Sequence, residues 1–484
     1  SLLERAGAGQ YFINLAFALL GKFRGGPAKA SVIASGLTGM VSGSSTANVV
    51  TVGTFTIPLM KKAGLTGTKA GAIEVAAGVN GQLMPPIMGA AAFIIAEFLG
   101  LSYTNVMIAA VIPAFVCYLS LFFIVHLESC KLGLKGMEQS PGVSKFKIFA
   151  SGLHYLIPIF ILLYTLLIAK ESAISAAFNA ICALFLIILF QEPVRKIAHG
   201  EDIGKEDVLV GFADIFWAMV TAAKSMTTIA IATGLAGIIV GSISLTGVGQ
   251  VLSEVVENLA GNNIVLILFL TAIMSLILGM GLPTTANYIV VSSLVAPVIL
   301  FLAHKNGFLI PAIAVHLFVF YFGILADDTP PVGIAAYAAA GIAKANPVIV
   351  GVQGFFYDLR TTILPFSFVF NNKLLLVQSV DQANPSDPKG IVWITSPLEI
   401  ALIFGTALVG MFAFSSALQG YFVKRINPLE RALLLCVVPL TLVPNICAKY
   451  IPFIAHEYVS YVFGVGLYAA IFAFGWVQNK AQKS

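Results

Sequence analysis

The chain carries one arrangement of small polar residues, glycine and proline twice, about 240 residues apart. In each copy a run of hydroxyl side chains ends at an asparagine, a proline follows ten residues later, and a Pro-Pro pair closes the arrangement. The matched positions are Ser45 with Thr284, Thr46 with Thr285, Asn48 with Asn287, Pro58 with Pro297, Gly78 with Gly323, and Pro85-Pro86 with Pro330-Pro331. Paired interruptions in two apolar halves indicate a transporter binding site.

The surrounding sequence is too apolar for a water-soluble protein. Hydrophobic residues make up 58% of the chain and charged residues 10%, whereas soluble domains are about one quarter charged. We therefore expect an all-α polytopic membrane protein, with apolar runs for roughly eleven to thirteen passes or half-passes of a bilayer. The net charge of +5 comes from basic residues in short loops, so it does not indicate a nucleic-acid partner.

Each polar cluster is reached by apolar arms that are too short to cross a bilayer alone. In the first copy the arms at 30–43 and 48–60 are about 13 residues each, and a spanning helix needs about 20. Two short arms that meet at a polar tip predict a re-entrant helical hairpin, buried in protein or lining a water-filled cavity. Tandem proline then predicts a broken helix, because proline lacks the N–H of a helical hydrogen bond.

The charges around the two hairpins predict opposite orientations. The second hairpin is flanked by Glu254, Glu257 and Lys305. The first is flanked by six basic residues, which are Lys22, Arg24, Lys29, Lys61, Lys62 and Lys69. Because cytoplasmic loops are enriched in Lys and Arg, the first hairpin is predicted to enter from the cytoplasm and the second from outside. The two copies are therefore expected to be inverted repeats.

These patterns divide the chain into four parts. The expected parts are a first inverted repeat at 1–126, two linking transmembrane helices with a charged linker at 127–207, a second inverted repeat at 208–370, and a periplasmic loop with three C-terminal transmembrane helices at 371–484. Within the repeats we expect hairpins at 28–62 and 262–304, and broken helices at 68–101 and 308–345.

The tips and breaks supply the candidate ligands. Hydroxyls, freed carbonyls and carboxylate or amide oxygens suit Na⁺, and the half-helix after each break offers N–H groups to an anionic substrate. Close helix packing is the plainer explanation for Ser, Thr and Gly in lipid, but the repeated spacing favours a site. Asp327 and Asp328 are functional by default at membrane depth, or else a solvated helix cap. Glu74 is expected near an end of its helix, and Asp358 with Arg360 is interpreted as a structural pair.

At these motifs the sequence resembles the large membrane subunit of tripartite ATP-independent periplasmic (TRAP) transporters. The segments that carry the resemblance are GMVSGSSTANVVTVGTFTIP, GQLMPPIMGAAAF, GMGLPTTANYIV and ADDTPPVGIAAYAAAGIA. They are most similar to the fused permeases of the TAXI subfamily, which carry extra C-terminal helices. The resemblance implies a multi-pass bacterial inner-membrane protein with an elevator-type fold, and a small-subunit membrane region that would lie upstream, so we expect an N-terminally truncated chain.

The resemblance also implies what the protein binds. It implies import of an organic acid by Na⁺ symport, with a periplasmic solute-binding protein as partner, the substrate carboxylate between the tips, and Na⁺ as coupling ion. The ion ligands it implies are Ser44, Ser45, Asn48, Gly81, Gly281, Thr284, Thr285, Asn287 and Thr329, to which we add Thr46 as the match of Thr285. The candidate substrate contacts are Asn80, Gln82, Pro85, Pro86, Asp327, Asp328, Pro330 and Pro331.

Three alternatives stay open. A stand-alone divalent-anion/Na⁺ symporter shares the hairpin plan, and the Asp327-Asp328 pair leaves H⁺ coupling possible. A polytopic membrane enzyme or a channel is a remote alternative, since the sequence shows no GxxxxGK[ST], HExxH or GxSxG motif that would supply ATP hydrolysis, a metal or a nucleophile. We therefore expect a transporter and not an enzyme.

Overall fold

The computed structural model describes residues 1–136, 144–202, 204–261, 263–381, 390–452, 454 and 456–481. Helices dominate, and the two short strands β1 (Val377–Ser379) and β2 (Val392–Trp393) pair antiparallel. Part of the loop expected at 371–395 and the first residue of the hairpin expected at 262–304 lie outside the described residues.

The first part of the chain folds into seven helices, of which α3, α4 and α7 pack against α5. The helices are α1 (Leu2–Ala6), α2 (Ala8–Leu20), α3 (Gly26–Ser42), α4 (Ser45–Lys62), α5 (Gly67–Gly81), α6 (Ala91–Leu99) and α7 (Tyr103–Lys131). Every residue of α5 from Ala70 to Gly81 is buried. The boundary expected between 126 and 127 falls inside α7, because the apolar run there continues to Lys131.

The middle of the chain connects the two copies. Its elements are α8 (Lys145–Ser151), a 3₁₀ turn (Leu153–Leu156), α9 (Ile157–Leu167), α10 (Ala173–His199) and α11 (Lys205–Thr246). Helix α11 begins before residue 208, where the second repeat was expected to start.

The second copy repeats the element order of the first. Its helices are α12 (Val248–Ala260), α13 (Ile264–Gly279), α14 (Thr284–Lys305), α15 (Ala312–Leu325), α16 (Ile334–Ala343) and α17 (Pro347–Phe370). All residues of α15 are buried, so α15 is a central helix like α5. Both central helices end at a Pro-Pro segment, and each Pro-Pro bond is cis.

Four helices follow a 3₁₀ turn at Asn372–Leu375 and the strand pair. They are α18 (Pro397–Gln419), α19 (Pro428–Leu442), α20 (Pro444–Tyr450) and α21 (Glu457–Ala481). Helices α19 and α20 meet at 102°, so the apolar run at 430–450 is bent and is not one straight span. Pro444 explains the bend, since proline cannot continue the hydrogen bonding of the preceding helix.

Six described helices are long and apolar enough to cross a membrane, and the number rises to nine if each of three bent pairs is one span. The sequence estimate of eleven to thirteen was higher because it counted the hairpin arms and half-helices as separate part-passes. Helix α14 departs from the short-arm expectation, since at 22 residues it is itself long enough to span.

The first hairpin is antiparallel, and its side chains show this directly. Ser31 of α3 and Thr56 of α4 both donate to Glu74, and further along α3 the Ser35 carbonyl accepts from Asn48 of α4. Residues later in α3 therefore lie beside residues earlier in α4, as in an antiparallel pair. At the turn, Ser44 caps α4 by accepting a hydrogen bond from the Ala47 amide at 3.3 Å.

Candidate functional site

The tips of both hairpins converge on one carboxylate. Asp327 follows α15 in the second break, and its Oδ2 accepts a hydrogen bond from Ser45 Oγ of the first tip at 2.5 Å and from Thr284 Oγ1 of the second tip at 3.2 Å. All three side chains are buried, with Asp327 only 4% exposed. The second break thus joins the first tip, 282 residues away in sequence, to the second tip.

Gln82, at the first break, bridges the same two tips. With its amide oriented to satisfy the surrounding groups, its nitrogen donates to the Gly43 carbonyl at 2.9 Å and to Thr284 Oγ1 at 2.8 Å, and its oxygen accepts from the Ser45 amide at 3.1 Å. Gln82 and Asp327 are separated by 245 residues, the spacing that also relates Pro85 to Pro330. The two copies therefore place matched residues between the tips, one a neutral amide and the other a carboxylic acid.

The first tip rests directly on the backbone of the first break. Gly43 at the end of α3 has a φ of 62°, and Gly89 after the Pro-Pro segment has a φ of 61°. A Cβ on Gly89 would lie 2.7 Å from the Gly43 Cα, and a Cβ on Gly43 would lie 2.9 Å from the Gly89 Cα. Two glycines are needed here because the left-handed conformation and the close approach both exclude a side chain.

The two matched asparagines hold their hairpins differently. Both ends of the Asn48 amide have a partner, since its Oδ1 accepts from Thr38 at 2.5 Å and its Nδ2 donates to the Ser35 carbonyl at 3.2 Å. Asn287 donates from Nδ2 to the Gly323 carbonyl at 2.5 Å. Its Oδ1 is buried without a hydrogen-bond partner among the described residues. A buried oxygen without a hydrogen-bond partner destabilises the folded protein unless a ligand interacts with that oxygen.

The other predicted ion ligands lie at or beside the tips. Thr285 is buried next to Thr284 and Gly281 forms the second turn with a φ of 78°, while Ser44 and Thr46 are half-buried in the first tip. The hydroxyl of Thr329 donates to the Leu325 carbonyl at 2.5 Å, which leaves its lone pairs available. Pro85, Pro86 and Pro330 are half-buried, whereas Pro331 is exposed.

Gly81 has a packing role in addition to its predicted one. A Cβ on Gly81 would lie 2.9 Å from the Gly39 Cα and equally close to the Ser35 carbonyl oxygen. The absence of a side chain therefore lets α5 cross α3 at backbone distance.

Asn80, predicted to contact substrate, lies in a different network. Its Nδ2 donates to Asp358 Oδ1 at 2.6 Å and its Oδ1 accepts from Thr361 at 3.0 Å, both on α17. Arg360, fully buried, donates to the same Asp358 oxygen at 2.8 Å and to the Cys117 carbonyl at 3.2 Å. The polar atoms of Asn80 are thus occupied by protein groups, and we leave it out of the substrate contacts proposed below.

Asp328 joins this network from the second break. It is fully buried, and its carboxyl group experiences the charge of the Asp358 carboxyl group on α17. Neither Asp328 oxygen has a hydrogen-bond donor among the described residues, and Asp358 Oδ2 has none either. Two adjacent carboxylates cannot donate to each other when both are ionised, so a proton held between them would satisfy both. The Asp358-Arg360 pair, which was expected to be structural, therefore interacts with Asn80 of the first break and with Asp328 of the second.

Glu74 is the buried acid that sequence reasoning placed wrongly. It was expected near a helix end, but it lies in the middle of α5 with none of its surface exposed. Ser31, Ser35 and Thr56 each donate a hydroxyl hydrogen bond of 2.5 Å to its carboxylate. The serine spacing of one helical turn on α3 was a usable signal, because it places two hydroxyls on one face.

We expect replacement of Glu74 to loosen the first hairpin. Glu74→Leu removes the common acceptor of three buried hydroxyls from both arms, which should lower the free energy of unfolding by about 1–3 kcal/mol. Thermal unfolding of the purified protein in detergent measures this. Glu97→Leu, at an exposed position of α6, is the control and should change stability little. Equal losses in the two variants would contradict a role for Glu74 in tying the arms together.

Asp327 is buried, and among the described residues no cationic side chain pairs with it. Among the described residues its polar contacts are hydroxyls and backbone groups, and no ion pair to it occurs. An isolated buried carboxylate is costly, so it binds a cation or a proton. Beside it are the hydroxyls of Ser45 and Thr284, and the unpartnered Asn287 oxygen belongs to the residue about one helical turn after Thr284 on α14. This set of hard oxygen atoms suits a monovalent metal cation better than a soft transition metal.

Comparison with known proteins gives a consistent picture. Residues 1–383 match the family described as tripartite ATP-independent periplasmic transporter, DctM component, and residues 400–461 match a domain of unknown function, DUF3394. The chain is 20% identical over 385 residues to the 2,3-diketo-L-gulonate TRAP transporter large permease protein YiaN of Escherichia coli, covering 76% of this chain and 81% of that one. It is 23% identical over 347 residues to the isethionate TRAP transporter permease protein DctMQ of Oleidesulfovibrio alaskensis, covering 70% and 50%.

A shorter match has higher identity. Over 143 residues the chain is 29% identical to the C4-dicarboxylate TRAP transporter large permease protein DctM of Vibrio cholerae, which covers 30% of each chain.

Proposed function

This chain belongs to the DctM family of TRAP transporter large permeases, and from that premise we propose that it imports an organic anion together with Na⁺ by an elevator movement. Membership of the family makes it a multi-pass inner-membrane component of a secondary transporter and not an enzyme. The family implies a periplasmic solute-binding protein and a small membrane subunit as partners.

One observation carries the proposal, namely the meeting of both hairpin tips on Asp327. Ser45 and Thr284 come from different halves of the chain and donate to the same carboxylate oxygen. A cation bound there would neutralise Asp327 and hold the two tips together. We place Na⁺ at this point, with the tip hydroxyls, the Asn287 oxygen and the backbone of Gly281 as the nearest candidate ligands.

An organic anion fits beside this centre. Helix α16 begins at Ile334, directly after the second break, and helix N-termini attract negative charge. Gln82 and the carbonyls freed at the Pro-Pro segments supply further polar groups. The names of the relatives point to substrates of one class, since 2,3-diketo-L-gulonate, isethionate and C4-dicarboxylates are all organic anions.

The inverted arrangement and the elevator movement rest on the charge pattern of the hairpins and on the way the tips are joined. Six basic residues around the first hairpin, against one around the second, favour entry from opposite membrane faces. Tips that share Asp327 and Gln82 would move as one unit. We also propose a TAXI-type permease, because α18 to α21 extend beyond the residues that match the DctM family.

Transport in proteoliposomes tests the function. With its solute-binding protein and small membrane subunit, the reconstituted permease should take up organic anions such as C4-dicarboxylates only when an inward Na⁺ gradient is imposed. Omission of the binding protein should abolish uptake, whereas a stand-alone divalent-anion/Na⁺ symporter would keep it. Uptake that ignores Na⁺ but follows a proton gradient would reject Na⁺ coupling.

A proton is the second candidate for the coupling ion, and the Asp328-Asp358 pair favours it. Both carboxyl groups are fully buried, Asp328 in the second break and Asp358 on α17, and Arg360 donates to Asp358. A proton between them would be lost or gained with little structural change. Under this alternative Asp328→Asn would abolish the response of uptake to pH, whereas under Na⁺ coupling it would leave the Na⁺ dependence in place.

A further inference from the structure

A cavity lies between the family-matched part of the chain and its C-terminal extension, and no residue of either hairpin tip lines it. It has a volume of about 310 Å³. The lining residues are Arg24, Phe123, His126, Leu127, Cys130, Tyr421, Phe422, Val423, Phe472 and Asn479. These come from the connection before α3, the end of α7, the loop after α18 and helix α21. None of these lining residues is acidic.

Three basic groups cluster at this cavity. Lys29, only 7% exposed, has its Nζ 3.0 Å from Nδ1 of His126, and both groups experience the charge of Arg24. Neither Arg24 nor Lys29 forms an ion pair with a carboxylate among the described residues; the nearby Glu128 pairs with Lys69 instead. Lys29 donates to Nδ1 of His126, which accepts as a neutral ring, so Lys29 and Arg24 are the two like charges here. An anion in the cavity would reduce the repulsion between them.

Arg24 is free to bind such an anion. Among the described residues its side-chain hydrogen bond goes to Cys130 Sγ at 3.8 Å, and a thiol is a weak acceptor. A guanidinium group has five N–H donors in a planar fork that matches phosphate oxygens. Tyr421 and Asn479 add a hydroxyl and an amide on the opposite wall of the cavity.

The apolar surroundings indicate that the anion has hydrocarbon chains. Phe23, beside Arg24, is 58% exposed, and Phe472 on the cavity wall is 47% exposed. The loops around this end are basic, as in the segment KRINPLER that begins at Lys424, and such loops face the cytoplasm. Basic pockets between helices on that side of a membrane bind anionic lipid headgroups.

We propose that this cavity binds the phosphate of an anionic phospholipid, with the acyl chains lying along Phe23 and Phe472. The lipid would join the C-terminal extension to α7 and α3 of the permease. This inference is independent of the coupling ion and of the transported substrate, because none of its residues belongs to the tips or breaks.

Lipid retention tests the proposal. The purified protein is placed in phosphatidylcholine nanodiscs that contain a small fraction of spin-labelled phosphatidylglycerol, and the immobilised fraction of the label is measured. We expect Arg24→Gln to weaken retention about fivefold, since each basic group near a membrane surface contributes about that factor. Arg24→Lys should keep most of the charge effect but lose the planar fork of donors. His126→Gln tests a second cavity residue in case Arg24→Gln does not fold.

Arg425→Gln is the matched control, since Arg425 is an exposed basic residue of the neighbouring loop and does not line the cavity. Retention that falls equally in Arg425→Gln and Arg24→Gln would mean a diffuse surface effect and would overturn the proposal. Inorganic phosphate and glycerol 3-phosphate are added as competitors. If either displaces the labelled lipid at low millimolar concentration, the cavity is a free-anion site and the lipid assignment is wrong.

Discussion

Asp327→Ala should reduce Na⁺-driven uptake by about two orders of magnitude, because two buried hydroxyls lose a charged acceptor and each such bond contributes about 1.5–3 kcal/mol. Ser45 and Thr284 would no longer share a partner, so the two tips would separate and the cation would lose the carboxylate between them. Uptake at saturating Na⁺ measures the effect of separating the tips. Protection by Na⁺ against thermal unfolding measures the loss of Na⁺ affinity.

Conservative changes distinguish charge from hydrogen bonding at this position. Asp327→Asn keeps an acceptor for both hydroxyls but removes the charge, so it should weaken Na⁺ affinity while the protein stays folded. Asp214→Asn is the control, since Asp214 pairs with Arg5 at the partly exposed periphery and such pairs contribute little. If Asp327→Asn transports with unchanged Na⁺ activation, Asp327 is a structural link between the tips and the cation binds elsewhere.

Gly89→Ala should nearly abolish transport while leaving a folded protein. The substitution places a Cβ 2.7 Å from the Gly43 Cα, and a packed interior cannot absorb such an overlap without displacement, so we expect uptake to fall about tenfold or more. The displaced element is the first tip, which carries Ser45 to Asp327. Uptake per folded transporter is the measurement, with folding followed by size-exclusion chromatography.

Gly100→Ala separates this contact from backbone strain. Gly100 has a φ of 60°, nearly that of Gly89, but a Cβ there would meet nothing within 4 Å. Both substitutions therefore bear the same conformational cost of about 1–2 kcal/mol for a left-handed residue. Similar uptake in the two variants would show that strain alone, and not the approach of tip to break, limits transport.

Much of the order of the helices was predictable because it depends on local residue patterns that occur twice in the sequence. The Ser-Thr-Ala-Asn tips, the prolines after them and the apolar arms predicted hairpins and broken helices, and the structure has helices α3 with α4 and α13 with α14 at those places. The first tip, expected between the arms at 30–43 and 48–60, is shorter than predicted, since α4 begins at Ser45. The turn of 102° from α19 into α20 was not predicted, although Pro444 within the apolar run was a usable signal for a helix break.

Side-chain partners were harder to predict because they depend on packing between distant segments. Asn80 belongs to the same polar break as Gln82, yet it faces α17 while Gln82 faces the tips, since successive positions of a helix point in different directions. Glu74 was missed for a related reason. Its three hydroxyl partners lie on two other helices, and an acid in an apolar run looks costly until those partners are known.

The neutral amide at Gln82 and the acid at Asp327 also have an electrical consequence. With one carboxylate between the tips, the empty centre carries one negative charge and the centre with Na⁺ carries none. If the centre travels across the bilayer, an inside-negative potential drives the empty form outward, whereas the net charge of the loaded form is that of the transported anion alone. The gain is about 2.3 kcal/mol per 100 mV for a full crossing. Membrane potential would then accelerate the return of the unloaded transporter, and a second acid in place of Gln82 would double that dependence on voltage.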